Sequence, residues 1–115
     1  MKCLHRNWLW KIINLIAVVV LTTKLGIVEF QGHTETWYDL PMQKVVQDAQ
    51  QAGIPCEYWV RDDGVKMFGN WVIVASHPSV TKYTFIETSL GTGIILDRHE
   101  MDNKDLYDIA TNWKE

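Results

Sequence analysis

The stretch Glu57–Ala75, EYWVRDDGVKMFGNWVIVA, decides the fold class. It holds short apolar and aromatic runs separated by two turn signals, Asp62-Asp63-Gly64 and Gly69-Asn70, the layout of successive tight hairpins. Trp71–Ala75 (WVIVA) is apolar throughout, the mark of a strand buried on both faces. Downstream, Thr84–Ser89 and Gly93–Leu96 extend the series, and short strands at this spacing predict a small barrel rather than an open sheet. The tail NKDLYDIATNW is ambiguous: Leu106, Ile109, Ala110 and Trp113 fit a helical face, while Tyr107–Thr111 fits a strand.

Upstream of the deciding stretch, Met42, Val45, Val46 and Ala49 recur at helical spacing. Asp39 is placed to cap this helix and Pro41 suits its first turn; Gly53 supplies the stop and Pro55 prevents continuation. Residues 25–36 (LGIVEFQGHTET) show no helical periodicity and read as a tether. Residues 1–24 read as a signal peptide or signal anchor, because a basic n-region precedes the apolar run Ile12–Leu21. That run rises only about 15 Å as a helix. Extending it from Trp8 to Thr23 would span a bilayer if the flanking lysines snorkel. Export of the remaining domain follows, with the basic end held inside.

Charge supports this division and limits the partners. Four of the 11 basic residues (Lys2, Arg6, Lys11, Lys24) lie in the first 24 positions, and the other seven share the rest with all 14 acids, a net −7. An acidic domain repels phosphate backbones, which argues against nucleic acid as a partner. The two cysteines, Cys3 and Cys56, flank the apolar segment and have no metal-type spacing; Cys56 reads as a small buried residue.

Four groups of residues could carry chemistry. Asp97 and Asp108 each close or interrupt an apolar run (GIILD, LYDIA). Two carboxylates close together at buried strand ends push one pKa upward and keep one acid neutral, able to protonate a leaving oxygen. On spacing alone, ordinary strand-end acids fit as well. His77, Asp97, His99 and Glu100 form a possible metal cluster without supporting ligand spacing, so no metal is expected and a solvated loop is the better reading. The glycines of SLGTG (Ser89–Gly93) lack the lysine of a phosphate loop and suit a turn entering a strand. The aromatics Trp37, Tyr38, Tyr58, Trp59, Trp71, Tyr83, Tyr107 and Trp113 fit a core by default. Tyr58 and Trp59, adjacent on a strand, face opposite ways, so one of them is available to stack on a sugar.

Taken together, YDLPM, YWVRDDGVKMFGNWVIVA, ETSLGTGIILD and YDIATNW resemble the three-aspartate (3D) domain proteins of Gram-positive bacteria and their phages, over residues 36–113. The resemblance implies a small six-stranded double-psi β-barrel with one accessory helix over residues 37–115, related to the barrel of membrane-bound lytic transglycosylases. It also implies that the tail is a strand. The family's second and third acids correspond to Asp97 and Asp108, and its first position is His77 here. The glycines after the second acid are replaced by Arg98-His99-Glu100, and of the family's Pro-x-Gly-Thr turn only Thr84 is kept.

The implied activity is cleavage of the MurNAc–GlcNAc bond of peptidoglycan, with Asp108 as the acid and base, Asp97 in support and His77 nearby. Thr84, Gly93, Tyr58 and Trp59 are the expected substrate contacts. No cofactor is implied; peptidoglycan strands and, through the N-terminal segment, a membrane are the expected partners. The rival reading is a non-catalytic cell-wall-binding or structural module on the same barrel. A metal-dependent hydrolase using His77 and His99 is the weaker third.

Overall fold

The structure is a computed structural model that describes residues 27–113, so the segment read as a signal lies outside the described residues. The described chain is mainly β with one helix. In order it forms β1 (Val28–Phe30), β2 (His33–Tyr38), α1 (Gln43–Gln51), β3 (Tyr58–Val60), β4 (Lys66–Phe68), β5 (Trp71–Ser76), β6 (Phe85–Thr88), β7 (Gly91–Arg98) and β8 (Leu106–Ala110). Among the described residues no helix is long and apolar enough to cross a membrane.

Both turns of the deciding stretch form as the residues indicate. Gly64 and Gly69 take positive φ, 88° and 62°, and close the β3–β4 and β4–β5 hairpins. β5 is then the centre of the sheet. β7 runs parallel along one of its edges, while β4 and the antiparallel β8 share the other, at Trp71–Val72 and Val74–Ser76 respectively. β8 in turn carries β2 in parallel, and β2 carries β1. The strand order β1-β2-β8-β5-β4-β3, with β7 and β6 branching from β5, has ends. The expected six-stranded closed barrel is therefore corrected to an open, eight-stranded sheet. Of the two extra strands, β1 is too short and β2 too polar in pattern to announce itself.

Apolar side chains leave β5 on both faces, as its composition requires. One core joins Ile73, Ile94, Leu96, Ala110 and Phe68 to Met42, just before α1, and to Val46 and Ala49 of α1. The other, on the opposite face, joins Val72, Val74, Ile95, Ile109, Met67, Val65 and Leu90. Met67 and Phe68 are consecutive on β4 and enter different cores, the direct result of strand alternation. Burying a Leu, Ile, Val or Phe side chain contributes about 1.5–3 kcal/mol, so these two layers hold the sheet without closure.

Two local expectations are revised, and the tail is settled as the resemblance implies. The helix has its apolar stripe where the sequence puts it, but Met42 is the N-cap and no side chain caps it. Asp39 instead accepts a hydrogen bond from the buried Lys66 Nζ at 2.6 Å. At the other end Gly53, at φ 103°, and the Ile54 amide bound to the Ala49 carbonyl stop the helix as expected. The described part of the segment 25–36 is not a tether. From Val28 it forms the β1–β2 hairpin, turned by Gln31 and Gly32 with φ of 46° and 86°. Its second strand, HTETWY, buries His33 and Glu35 rather than apolar residues, so hydrophobic alternation does not mark it. The ambiguous tail is the strand β8.

Candidate active site

Ala75 stands between the two aspartates. On β5 it pairs with Asp97 of β7 on one side and with Asp108 of β8 on the other, and Asp108 pairs with Thr36 of β2. Partners directly across a ladder point to the same face. Thr36, Asp108, Ala75 and Asp97 therefore form one row across four strands, on the face covered by α1. A methyl group separates the carboxylates, where a larger side chain would fill the space between them.

A β-bulge makes this row possible. Ile95 pairs with Val74, yet Asp97, two residues on, pairs with Ala75, only one residue on. Strict alternation would place Asp97 on the face of Ile95, away from Asp108. The extra residue, Leu96, turns Asp97 over and itself enters the helix-side core. Arg98 then falls opposite Ser76, on the other face. Its guanidinium donates to the His77 and Val80 carbonyls, and the latter contact is the closer one.

Hydrogen bonds distinguish the two acids. Asp97 Oδ2 accepts from the Tyr38 hydroxyl at 3.0 Å and Oδ1 from the Arg98 amide at 2.8 Å. Asp108 Oδ1 accepts from Thr36 Oγ1 at 2.8 Å. Burial raises the Asp108 pKa above its ordinary value, and the Asp97 charge adds to the rise; the Thr36 hydrogen bond and His99 act in the opposite direction. Burial first, then the charge and hydrogen bond of Asp97, push the Tyr38 hydroxyl far upward, so it remains a donor throughout the physiological range.

The histidines are held by local contacts. His99 Nε2 donates to the Leu106 carbonyl at 2.7 Å and Nδ1 accepts from the Met101 amide at 3.2 Å, which defines the tautomer. His77 Nδ1 accepts from the Ser79 amide at 3.1 Å and lies 2.8 Å from Ser79 Oγ. The rings pack edge to face at 6.2 Å. Among the described residues no group of His, Cys, Asp or Glu side chains is arranged to hold a metal ion.

The expected substrate contacts do not gather at the aspartates. Gly93 is packed inside the sheet, where an added Cβ would lie 2.7 Å from Val74 Cγ2. Trp59 packs on the core opposite α1 and donates from Nε1 to the Gly69 carbonyl at 2.6 Å. Tyr58 is exposed on the edge strand β3, and Thr84 Oγ1 donates to the Thr81 carbonyl at 2.7 Å. The residues that do reach the acids, Thr36 and Tyr38, come from the strand misread as a tether and its continuation. Their T-x-Y spacing in HTETWY puts both on one face, which was the available signal.

Comparison of the chain with protein-family models, curated proteins and solved structures gives no match.

Proposed function

We propose that the protein is an exported, peptidoglycan lytic transglycosylase-like enzyme with Asp108 as its acid and base. The observation that carries this reading is the row in which Asp97 and Asp108 share one face on either side of Ala75, with one half-buried carboxyl of raised pKa. The sequence resemblance supplies the substrate class and the parallel β2–β8 and β5–β7 pairs supply the frame. In the reaction, protonated Asp108 gives its proton to the glycosidic oxygen as the C1–O bond of the MurNAc unit breaks. The 6-hydroxyl of the same sugar then attacks C1, and the Asp108 carboxylate takes the hydroxyl proton. A 1,6-anhydro ring forms, no water is consumed, and Asp108 ends protonated as it began. Asp97 provides a neighbouring negative charge that favours the neutral form of Asp108 at rest and the cationic sugar during cleavage. The N-terminal basic and apolar segment would deliver the domain to the cell wall.

A non-catalytic wall-binding module is favoured by one observation: His77, at the position of the family's first acid, is bound to Ser79 and supplies no third carboxylate. Digestion of purified peptidoglycan by the full chain, read by mass spectrometry, separates the two. The enzyme yields anhydro-muropeptides, and Asp108→Asn lowers their rate about 10²–10⁴-fold, as expected for loss of a general acid. Co-sedimentation with the sacculus without products would leave only the binding module.

A further inference from the structure

We propose that β2 sets the two carboxylates to different tasks: Tyr38 and the Arg98 amide occupy both oxygens of Asp97 and fix it as an acceptor, while Thr36 holds one oxygen of Asp108 and leaves the other for the reacting proton. This makes Tyr38 and Thr36 positioning residues, each acting through the carboxylate it binds. The proposal rests on Asp108 being the acid of the reaction above, and it adds the device that selects Asp108 over Asp97.

The geometry is specific. Both oxygens of Asp97 are taken by N–H and O–H donors that themselves have little freedom: one is backbone and the other is a Tyr packed against the helix-side core. Asp108 receives one side-chain donor, on Oδ1; among the described residues no hydrogen bond reaches Oδ2. A carboxylate that receives a donor on each oxygen is stabilised in its ionised form by two hydrogen bonds, whereas one with a single donor keeps a whole oxygen open for the proton. The β2–β8 register, Thr36↔Asp108 and Tyr38↔Ala110, puts the two donors two residues apart on one face, so a single strand reaches both acids.

The two donors act on Asp108 in opposite directions. Tyr38 keeps the Asp97 charge in place beside it, which disfavours ionisation of Asp108; Thr36 binds the Asp108 carboxylate directly, which favours ionisation. Loosening of β2 alone would expose Asp108 to water and move its titration downward whichever residue was changed.

The test is a carbon-detected NMR titration of the Asp108 carboxyl in the full chain, with Tyr38→Phe, Thr36→Val and Thr36→Ser. Tyr38→Phe is expected to shift the Asp108 midpoint downward and Thr36→Val upward, while Thr36→Ser keeps the hydroxyl and the parent midpoint. Shifts of the same sign in Tyr38→Phe and Thr36→Val, or no shift in either, would overturn the proposal. Thr36→Val, which matches threonine in bulk but lacks the hydroxyl, and Thr36→Ser, which keeps the hydroxyl, decide the Thr36 part even where Tyr38→Phe does not fold. Opposite shifts in a protein that releases no anhydro-muropeptides would uphold the division of the pair and remove the transglycosylase reading. With active protein, the pH profile of kcat/KM should follow the Asp108 midpoint in each variant.

Discussion

Glu35 and Asp108 are carboxylates of neighbouring strands, one step apart in the β2–β8 register, on opposite faces of the sheet. Glu35 is 2% exposed, and both its oxygens are used. It accepts from the Ser89 amide and hydroxyl, at 3.0 Å and 2.5 Å for the nearest oxygens, and pairs with His33 Nε2 at 2.7 Å. The His33 ring packs edge to face on Tyr107. Glu35 thereby ties β2 to the β6–β7 turn. Asp108 is half-buried and holds a single Thr36 bond. A buried carboxylate with all its hydrogen bonds made is a structural tie. One that is partly desolvated and incompletely bonded stores the unfavourable charge that chemistry uses.

The comparison can be broken in order of effect. Glu35→Ala should be the costliest change, about 3–5 kcal/mol, because it leaves the Ser89 donors and His33 without their partner in a buried site. Chemical denaturation measures this, and a loss below about 1 kcal/mol would mean that Glu35 is not the tie described. Gly93→Ala should cost about 1–3 kcal/mol through the Val74 contact. It should alter the proposed glycan cleavage only as far as it alters folding; a selective loss of glycan affinity in a stable variant would make Gly93 a substrate contact.

Asp108→Asn is expected to have the opposite sign. A carboxyl whose folded pKa is raised above its unfolded value disfavours the folded state once it ionises. Relative to the parent, the variant should therefore have a higher denaturation midpoint at neutral pH. This advantage should fade as pH falls below the ordinary carboxyl range, where Asp108 is protonated in both states. An Asn variant that is less stable at neutral pH would place Asp108 with Glu35 among the structural ties. Tyr58→Ala should change least, within about 0.5 kcal/mol, since it alters an exposed side chain on an edge strand; loss of sacculus binding in that variant would reveal a sugar contact remote from the acids.

Much of the frame was legible. The turns at Gly64 and Gly69, the doubly buried β5, the helix stripe of Met42, Val46 and Ala49, and its stop at Gly53 all follow from local periodicity and from residues that tolerate positive φ. Aspartates at the ends of apolar runs were also visible as candidates. β2 was not, because its buried positions carry His33 and Glu35, whose burial is satisfied only by partners far along the chain: Ser89 lies 54 residues from Glu35.

What the sequence determined by itself is therefore what neighbouring residues impose on one another: strand and helix periods, turns, and the charge division between the first 24 residues and the rest. Tertiary structure alone decided which long-range partners meet. It left the sheet open, brought Thr36 and Tyr38 beside the two acids, and set Asp97 on the same face as Asp108. The last of these depends on one extra residue in β7 against β5. A bulge is a property of two paired strands, and alternation within either strand would have sent Asp97 to the wrong face.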